Sequence, residues 1–564
     1  GPTSRSRTPR PGMSKAHKRP RDGAARPAGA RDSASKKARR KAKSAGGGAR
    51  DEKRAPGDGS RPVEAPSGKI PSRPPPSYRL STCDTDEASA ASVLRPGDDE
   101  YEPCVRRAYA GFHVDPPESL PRETHDAAAG AFESMRAAGL FHRDVLAAGN
   151  VVSPTFVRRV LVGDRGMTYH YQKLRIFAHS WHDDDLVVRE TTNESRAKDD
   201  LSPLRVVREL NETLKARSAS VLRQTRYPPN ASSKLDGSCD FNVTLINLMD
   251  AKAAALKSDV PLKDESKYGM GPTSVSWHSD SSLQPHSTVA VYHVLFDEND
   301  SKRTTSRDDS SWHVALRTLD GRTPALRVPL PSESTYYMLR DFNAYHHHAV
   351  LAGNTRRYSS THRVAVVEKD TFDHIKRVCV DAVRVLPELK AMAETARRKG
   401  RGKGAKNVDF SRLARLTQTV GDAHRETEFQ WLRMFWLQGE EHAQAHSAYW
   451  RGKIEELTQA WDAMELGLRW VLECLRFCAD ASTPSQTPPT RNYDLALYVL
   501  TAVAEAREAY FKRASSAAYA KLPETQKPVR RPAFTETSPL PENLRPVVAA
   551  LTEWKKKAER FRRG

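Results

Sequence analysis

From Tyr78 to Val367 the apolar residues come in short runs, rich in β-branched and aromatic side chains: FVRRVLVG (156–163), MTYHYQKLRIFAHSW (167–181), FNVTLINLM (241–249), STVAVYHVLF (287–296), WHVALRTL (312–319), ALRVPL (325–330), STYYMLR (334–340) and HRVAVVEK (362–369). Turn residues punctuate them, as in GDRG (163–166) and DGRT (320–323). Runs of this length predict strands, and their number predicts an antiparallel β-core. Apolar positions at helical spacing near 124–148 and 201–223 predict helices packed outside it. Past Asp370 the texture changes. Trp461, Met464, Leu468, Val471, Leu472 and Leu475 stand three or four apart, the spacing of one helix face. FQWLRMFWLQG (429–439) reads as an apolar helix with Gly439 as its C-cap. The chain is therefore α+β: a β-core domain over 78–367 and an all-helical bundle over 368–564, whose Trp and Met residues are core. RRKGRGKGAKN (397–407) reads as a basic, Gly-rich loop between helices, a solvated linker with phosphate contact as a second reading.

Charge changes the picture at one end only. The chain of 564 residues carries a net +21, and residues 1–80 alone hold 22 Lys and Arg against 6 Asp and Glu. The body is nearly balanced, and the excess sits in a tail over 1–77 rich in Pro, Gly, Ala and Arg. Such a segment cannot bury enough apolar surface to fold alone, and we expect it to be disordered. Its densest basic cluster, SKKARRKAK (35–43), reads as a nuclear-import or phosphate-contacting element and places the protein in the nucleus, with the cytoplasm as a second compartment. Gly1-Pro2 looks like a remnant of protease cleavage, which would make Met13 the natural start and residues 1–12 foreign. No apolar run is long enough to span a membrane, and no signal peptide is visible. Six cysteines without CxxC pairs argue against a zinc ribbon and a disulfide framework and favour a reducing compartment.

Candidate chemistry begins at VSWHSD (275–280). His278 and Asp280, two apart in an extended segment, point to one face. Such a pair is two thirds of a metal site, part of a proton relay, or a surface hydrogen bond. YHHHAVLAGNTRRYSSTHRVAVV (345–367) supplies what a metal site would lack: His346, His347 and His348, then Arg357 and Arg363, six apart. Two imidazoles and one carboxylate form a facial triad on Fe(II), with three positions open for a bidentate 2-oxo acid and dioxygen. The far carboxylate of that acid needs a counter-charge, which the planar fork of an arginine suits. In a strand His346 and His348 share a face, so spacing alone leaves both open as the third ligand.

His278-x-Asp280 with His348, Arg357 and Arg363 at His-x8-Arg-x5-Arg spacing resembles the AlkB-type 2-oxoglutarate/iron nucleic-acid dealkylases. YGMGPTSVSWHSD (268–280), STVAVYHV (287–294), YYMLRDFNAYHHHAVLAG (336–353), YSSTHRVA (358–365), TEFQWLRMFWLQG (427–439) and LPETQKP (522–528) are similar to the FTO branch of that group, over roughly residues 100–560. The resemblance implies a double-stranded β-helix (jelly-roll) core, with Fe(II) and 2-oxoglutarate as cofactors. It implies His278, Asp280 and His348 as iron ligands, leaving His346 and His347 beside the site or on the surface. Arg357 would pair with the distal carboxylate of 2-oxoglutarate, with Ser359 beside it. Asn247 and Tyr336 would hydrogen-bond the co-substrate, and Arg363 would stand between co-substrate and substrate. Arg159, Tyr169, Tyr171, Trp277 and His278 would line the pocket for a methylated base, which needs a π-face to stack on and donors for its edge. The loop PLKDESKYGMG (261–271) would resist entry of a duplex.

The chain departs from the branch pattern at Ser279, Ser281 and Gln172, which stand where the branch carries His, Glu and Leu. These departures bear on the choice of base, not on the iron. The implied reaction is oxidative removal of N-methyl groups, first from N6-methyladenine in single-stranded RNA and secondarily from single-stranded DNA or 3-methylpyrimidines, releasing formaldehyde, succinate and carbon dioxide. The bundle would dock on the catalytic domain and brace it. The rival classes are a non-catalytic RNA-binding scaffold and a protein hydroxylase; the complete ligand set argues against the first, the arginine pair and pocket aromatics against the second.

Overall fold

Fifteen strands in the described residues form two facing sheets and a hairpin. The computed structural model describes residues 93–148, 151–171, 174–182, 202–225, 237–250, 273, 275–297, 311–399, 408–481 and 491–563, all within one unit, Ala65–Gly564. The tail 1–77, the loop 261–271, Gln172, the Tyr171 side chain and the core of the basic loop at 400–407 lie outside the described residues.

The strands are β1 (Val93–Leu94), β2 (Phe112–Asp115), β3 (His142–Ala148), β4 (Val151–Gly163), β5 (Thr168–Tyr171), β6 (Leu174–Phe177), β7 (His179–Ser180), β8 (Val243–Met249), β9 (Val275–His278), β10 (Val289–Phe296), β11 (His313–Thr318), β12 (Ala325–Pro329), β13 (Thr335–Met338), β14 (His346–Leu351) and β15 (Arg356–Arg363). The major sheet runs β2-β13-β10-β15-β8-β4-β3 with β7 beside β4; the minor sheet runs β1-β12-β11-β14-β9; β5 and β6 form the hairpin. Alternation sorts the side chains. Val291, Leu295, Tyr336, Met338 and Met249 of the major sheet meet Trp312, Val314, Leu316, Leu326 and Val350 of the minor sheet in one core. The opposite face of the major sheet, with Ile246, Leu248, Tyr292, Val294 and Tyr358, lies under the helices Arg122–Ala137 and Pro203–Gln224. The second of these starts with Pro203 in its first turn and buries Leu204, Val207, Leu210, Leu214 and Val221 at helical spacing. Two sheets closed on one core, with helices outside one of them, are the jelly-roll dioxygenase architecture.

Two expectations need correction. The helix expected over 124–148 ends at Ala137, and His142–Ala148 is strand β3. Gly139, at φ +71, ends the helix, and the Leu140 N–H returns to the Met135 carbonyl at 3.0 Å. That left-handed stop was legible in AAGLF, but the apolar spacing ran on past it. The strand expected over 362–369 lies earlier, at Arg356–Arg363, because the arginines and serines there are its inward face rather than a loop.

From Phe372 the described chain is helical. One cluster of buried side chains, including Trp431, Trp450, Trp461, Met464, Leu468 and Leu475, holds the bundle together. Within 429–439 a π-helical turn, Thr427–Leu432, precedes an α-helical one, Arg433–Leu437, and Gly439, at φ +93, links this piece to the helix Glu440–Ala445. Phe177 of β6 belongs to the bundle's core: its ring meets Trp450 at 4.9 Å and Phe435 at 5.0 Å, both edge-on. The Trp450 indole N–H donates to the Ala178 carbonyl at 2.8 Å, and Arg175 Nε donates to the Gln430 carbonyl at 2.6 Å. Among the described residues no helix is long and apolar enough to cross a membrane, and the five described cysteines are free.

Candidate active site

Antiparallel pairing of β9 with β14 sets His278 directly opposite His348, with the ring centroids 4.1 Å apart. Asp280 follows β9 by two residues, and ligand atoms of all three side chains lie within 4.8 Å of one another. The segment carrying Asp280 is clasped by Asn343, whose side chain accepts from the Asp280 N–H at 2.8 Å and donates to its carbonyl at 2.9 Å. Ser279 Oγ donates to the His346 carbonyl at 2.9 Å, which extends the pairing past the end of β9. Burial pushes the His348 imidazole down to about 3, with His278 adding to the shift, so at neutral pH it offers a lone pair. Burial pushes the Asp280 carboxyl up, but Arg363 and His348 outweigh it and hold the group well below the usual carboxylate range. Two imidazoles and an ionised carboxylate converging from one side are the donor set for Fe(II), with the opposite side left for other ligands.

The other two histidines are accounted for separately. His346 shares the inward face with His348, yet its ring nitrogens sit 3.0 Å from the Phe342 carbonyl and 2.8 Å from the Ala108 carbonyl, and its ring stacks on Phe342 at 4.0 Å. His347 points to the other face, against Arg317. The geometry thus selects His348, where spacing left a choice.

Strand β15 carries Arg357, Ser359 and Arg363 inward on alternate positions. Arg357 is fully buried, its Nη1 meets Met249 Sδ at 3.2 Å, and its Nε and Nη2 have no hydrogen-bond partner among the described residues. Burial pushes it down to about 10, so it stays charged at neutral pH. A buried, charged and incompletely bonded guanidinium is costly by itself. It fits a bound carboxylate, and the distal carboxylate of 2-oxoglutarate is the group this fold brings there. Ser359 sits two residues along the same face, opposite Asn247 on β8, which in turn faces Arg159 on β4. Tyr336, on β13, is buried in the same chamber, and burial raises its phenol to about 12, so it remains a donor. Asn247, Tyr336, Arg357 and Ser359 therefore line one chamber with the triad, as the resemblance implied.

Arg363 bridges two functions. Its Nε and Nη2 grip the Asp280 carboxylate at 3.0 and 2.9 Å, and its guanidinium lies 5.0 Å from the centre of the Tyr169 ring. Tyr169, on the β5–β6 hairpin, is buried, and Ser281 Oγ ties this hairpin to the triad segment through the His170 carbonyl at 3.2 Å. Arg159 is buried on the row that runs to Asn247. Trp277 does not join this group. It packs against Ala315, Ala349 and Leu351 on the outer face of the minor sheet, with the Arg317 guanidinium 4.5 Å from its ring centre. The reason is the period of a strand: with His278 turned inward, its neighbour must turn outward.

Residues 99–366 match the model of the FTO catalytic domain, and residues 370–553 match that of the FTO C-terminal domain. The alpha-ketoglutarate-dependent dioxygenase FTO of Xenopus laevis is 31% identical over 458 residues, which cover 77% of this chain and 87% of that protein. The chain belongs to the FTO family. Among solved structures, OsALKBH1 aligns with 12% identity and a TM-score of 0.27 over 45% of this chain and 96% of its own, and a Pseudomonas putida prolyl-4-hydroxylase with 11% and 0.24 over 45% and 93%. The family assignment does not rest on these two.

Membership of the FTO family makes the chain an Fe(II)- and 2-oxoglutarate-dependent dioxygenase, and the donor set and Arg357 fit both cofactors. Sequence reasoning missed two parts of the site. Asn343, in RDFNAYHHH, had no spacing signal, because its role depends on a turn that brings it back to Asp280. Trp312 lies under the Arg357 guanidinium at 5.5 Å and read as an ordinary strand residue.

Proposed function

We propose that this FTO-family dioxygenase removes N-methyl groups from single-stranded nucleic acid, with N6-methyladenine in RNA as the first substrate. The observation that carries the reading is the Arg363 fork, which holds the Asp280 ligand on one side and lies against Tyr169 on the other. An aromatic face and a cation thus border the reacting centre, as a flipped-out base requires. When bound, Fe(II) with 2-oxoglutarate and dioxygen supplies the oxidation that turns an N-methyl into an N-hydroxymethyl group, which is lost as formaldehyde beside succinate and carbon dioxide. The protein's part is positioning. His278, Asp280 and His348 would hold the iron. Arg357 would anchor the distal carboxylate of 2-oxoglutarate, with Tyr336, Asn247 and Ser359 along the same wall. Tyr169 and Arg159 would orient the base. The contacts of Phe177 and Arg175 with the bundle support a bracing role for the C-terminal domain. The basic run 35–43 supports nuclear import.

The test is formaldehyde release from single-stranded oligonucleotides carrying one N6-methyladenine, with Fe(II) and 2-oxoglutarate. Release from RNA well above that from a 3-methylpyrimidine oligonucleotide is expected. Release from methylated pyrimidines alone would reassign the base, and hydroxylation of peptides with no release from either oligonucleotide would move the chain to the protein hydroxylases.

A further inference from the structure

Four histidines outside the active site gather where the β-core meets the bundle. His142 is on β3, His179 on β7, and His442 and His446 stand one helical turn apart at and just past the helix Glu440–Ala445. His446 stacks on His179 at 4.4 Å between centroids and meets His442 at 4.4 Å, while His142 lies 6.0 Å from His446 and 6.3 Å from His442. His179, His442 and His446 are at most 9% exposed. One nitrogen of each ring, His142 Nε2, His179 Nε2, His442 Nδ1 and His446 Nδ1, is buried without a hydrogen-bond partner. A core histidine that serves only the fold looks different here: both nitrogens of His346 face carbonyls.

His142, His442 and His446 border a cavity of about 20 Å³ beside Leu161, Ile176 and Gln438, enough for one water-sized body. Burial depresses all four imidazoles, His179 and His442 to about 3, so their lone pairs are available at neutral pH. The ring of His442 is hydrogen-bonded to the backbone of Phe435, the kind of outer contact that fixes a ligating imidazole. The two arginines on the cavity wall oppose a cation, but Arg175 is already paired with Asp370 at 3.3 Å, and Glu441 acts on His142 from the other side.

We infer that His142, His179, His442 and His446 form a second metal site, for a divalent ion of the zinc class, that staples the β-core to the helical domain. An all-imidazole set suits Zn(II), Cu(II) and Ni(II) and lacks the carboxylate and open face of the Fe(II) triad. The rings stand farther apart than the 4.1 Å of the His278–His348 pair, so binding draws them inward by side-chain rotation.

The experiment uses the full chain carrying His278→Ala and Asp280→Ala, which removes the iron triad as a competitor. Co(II) added to this protein should give the strong visible absorption of a four-coordinate site at one equivalent, and Zn(II) should displace it. Saturating Zn(II) should raise the melting temperature by about 3 °C or more. Adding His446→Asn should abolish the band and the shift. Because that buried change can disturb folding, His142→Asn, at the half-buried edge, is the second arm: a folded protein by circular dichroism that binds Zn(II) at least about tenfold more weakly. Absence of saturable Co(II) or Zn(II) binding in the triad-deleted protein would overturn the site, as would binding that His142→Asn leaves unchanged.

Discussion

Two places in the described chain bring three metal-capable side chains within 4.8 Å: His278, Asp280 and His348 in the β-core, and His424, Glu428 and Glu465 in the bundle. By donor type they look alike. They differ in what the donors already hold. Glu428 accepts from Arg433 at 3.0 Å, from Arg507 at 3.0 Å and from the Trp461 indole at 3.1 Å. Glu465 takes His424 at 2.5 Å and Arg507 as well. Two carboxylates are matched by two guanidiniums, and every member is fully or almost fully buried. In the β-core one guanidinium meets one carboxylate, two imidazoles face each other, and the His278 side chain is 30% exposed. An ion reaching the bundle trio would have to displace arginines. One reaching the triad meets imidazoles at the edge of solvent. Uncommitted coordination, not residue type, separates a metal centre from a structural charge cluster.

The largest effects should fall on opposite properties in the two regions. Asp280→Ala or His348→Ala should remove formaldehyde release altogether while the protein still melts cooperatively. Glu428→Ala should leave turnover per folded molecule unchanged and cost about 3–5 kcal/mol of stability, because Arg507 and Arg433 would stay buried without their partner. Denaturant titration beside single-turnover assays measures both. Loss of iron-dependent turnover in Glu428→Ala at unchanged stability would reverse the comparison.

Arg357 sharpens it next, as the β-core's buried guanidinium without a carboxylate. Arg357→Ala should raise the 2-oxoglutarate needed for half-saturation by about 30- to several-thousand-fold, since truncating one partner of a buried charge pair costs about 2–5 kcal/mol. The Michaelis constant for nucleic acid should move far less. An unchanged 2-oxoglutarate requirement would mean that another cation holds the acid.

These residues also mark how far sequence could reach. His278, Asp280, His348, Arg357 and Arg363 were legible because strand period two and fixed intervals carry them, and the structure brings all five into one chamber. The ambiguity between His346 and His348 was physical: both face inward, and only the carbonyls of Ala108 and Phe342, 238 and 4 residues away along the chain, take His346 out of play. Trp277 was misplaced against that same period. The bundle's charge cluster was invisible, because Glu428, Glu465 and Arg507 come from separate helices and Arg433 meets Glu428 only across the π-helical turn.

The acid side of the stability profile offers a smaller test. Burial pushes the Glu428 carboxyl up, but Arg507, His424 and Arg433 prevail and bring it to about 2 from an ordinary 4.5. A carboxyl depressed on folding contributes stability that is full above its unfolded value and is lost as pH falls through the folded one. The bundle should therefore weaken progressively between pH 4.5 and about 2. In Glu428→Gln this limb should flatten, on top of a lower plateau at neutral pH. Equilibrium unfolding followed by tryptophan fluorescence at stepped pH reads it, and an undiminished slope in the variant would place the titrating group elsewhere.

The smallest effect belongs to Ser281, one of the positions where this chain departs from its branch. Its hydroxyl donates to the His170 carbonyl at 3.2 Å and so ties the segment after Asp280 to the hairpin that carries Tyr169. Ser281 is exposed, and water competes for the same carbonyl, so the bond is worth about 0.5–1 kcal/mol. Ser281→Ala loosens the hairpin against the triad without touching a ligand atom or the arginines. The Michaelis constant for a methylated oligonucleotide should rise by no more than about fivefold, the kinetic equivalent of 1 kcal/mol. Half-saturation by 2-oxoglutarate should stay where it was, because Arg357 and its strand lie on the far side of Arg363 from the hairpin's tether. A shift in 2-oxoglutarate use would show that the hairpin and the co-substrate wall move together, and the separation drawn here between base positioning and cofactor anchoring would fail.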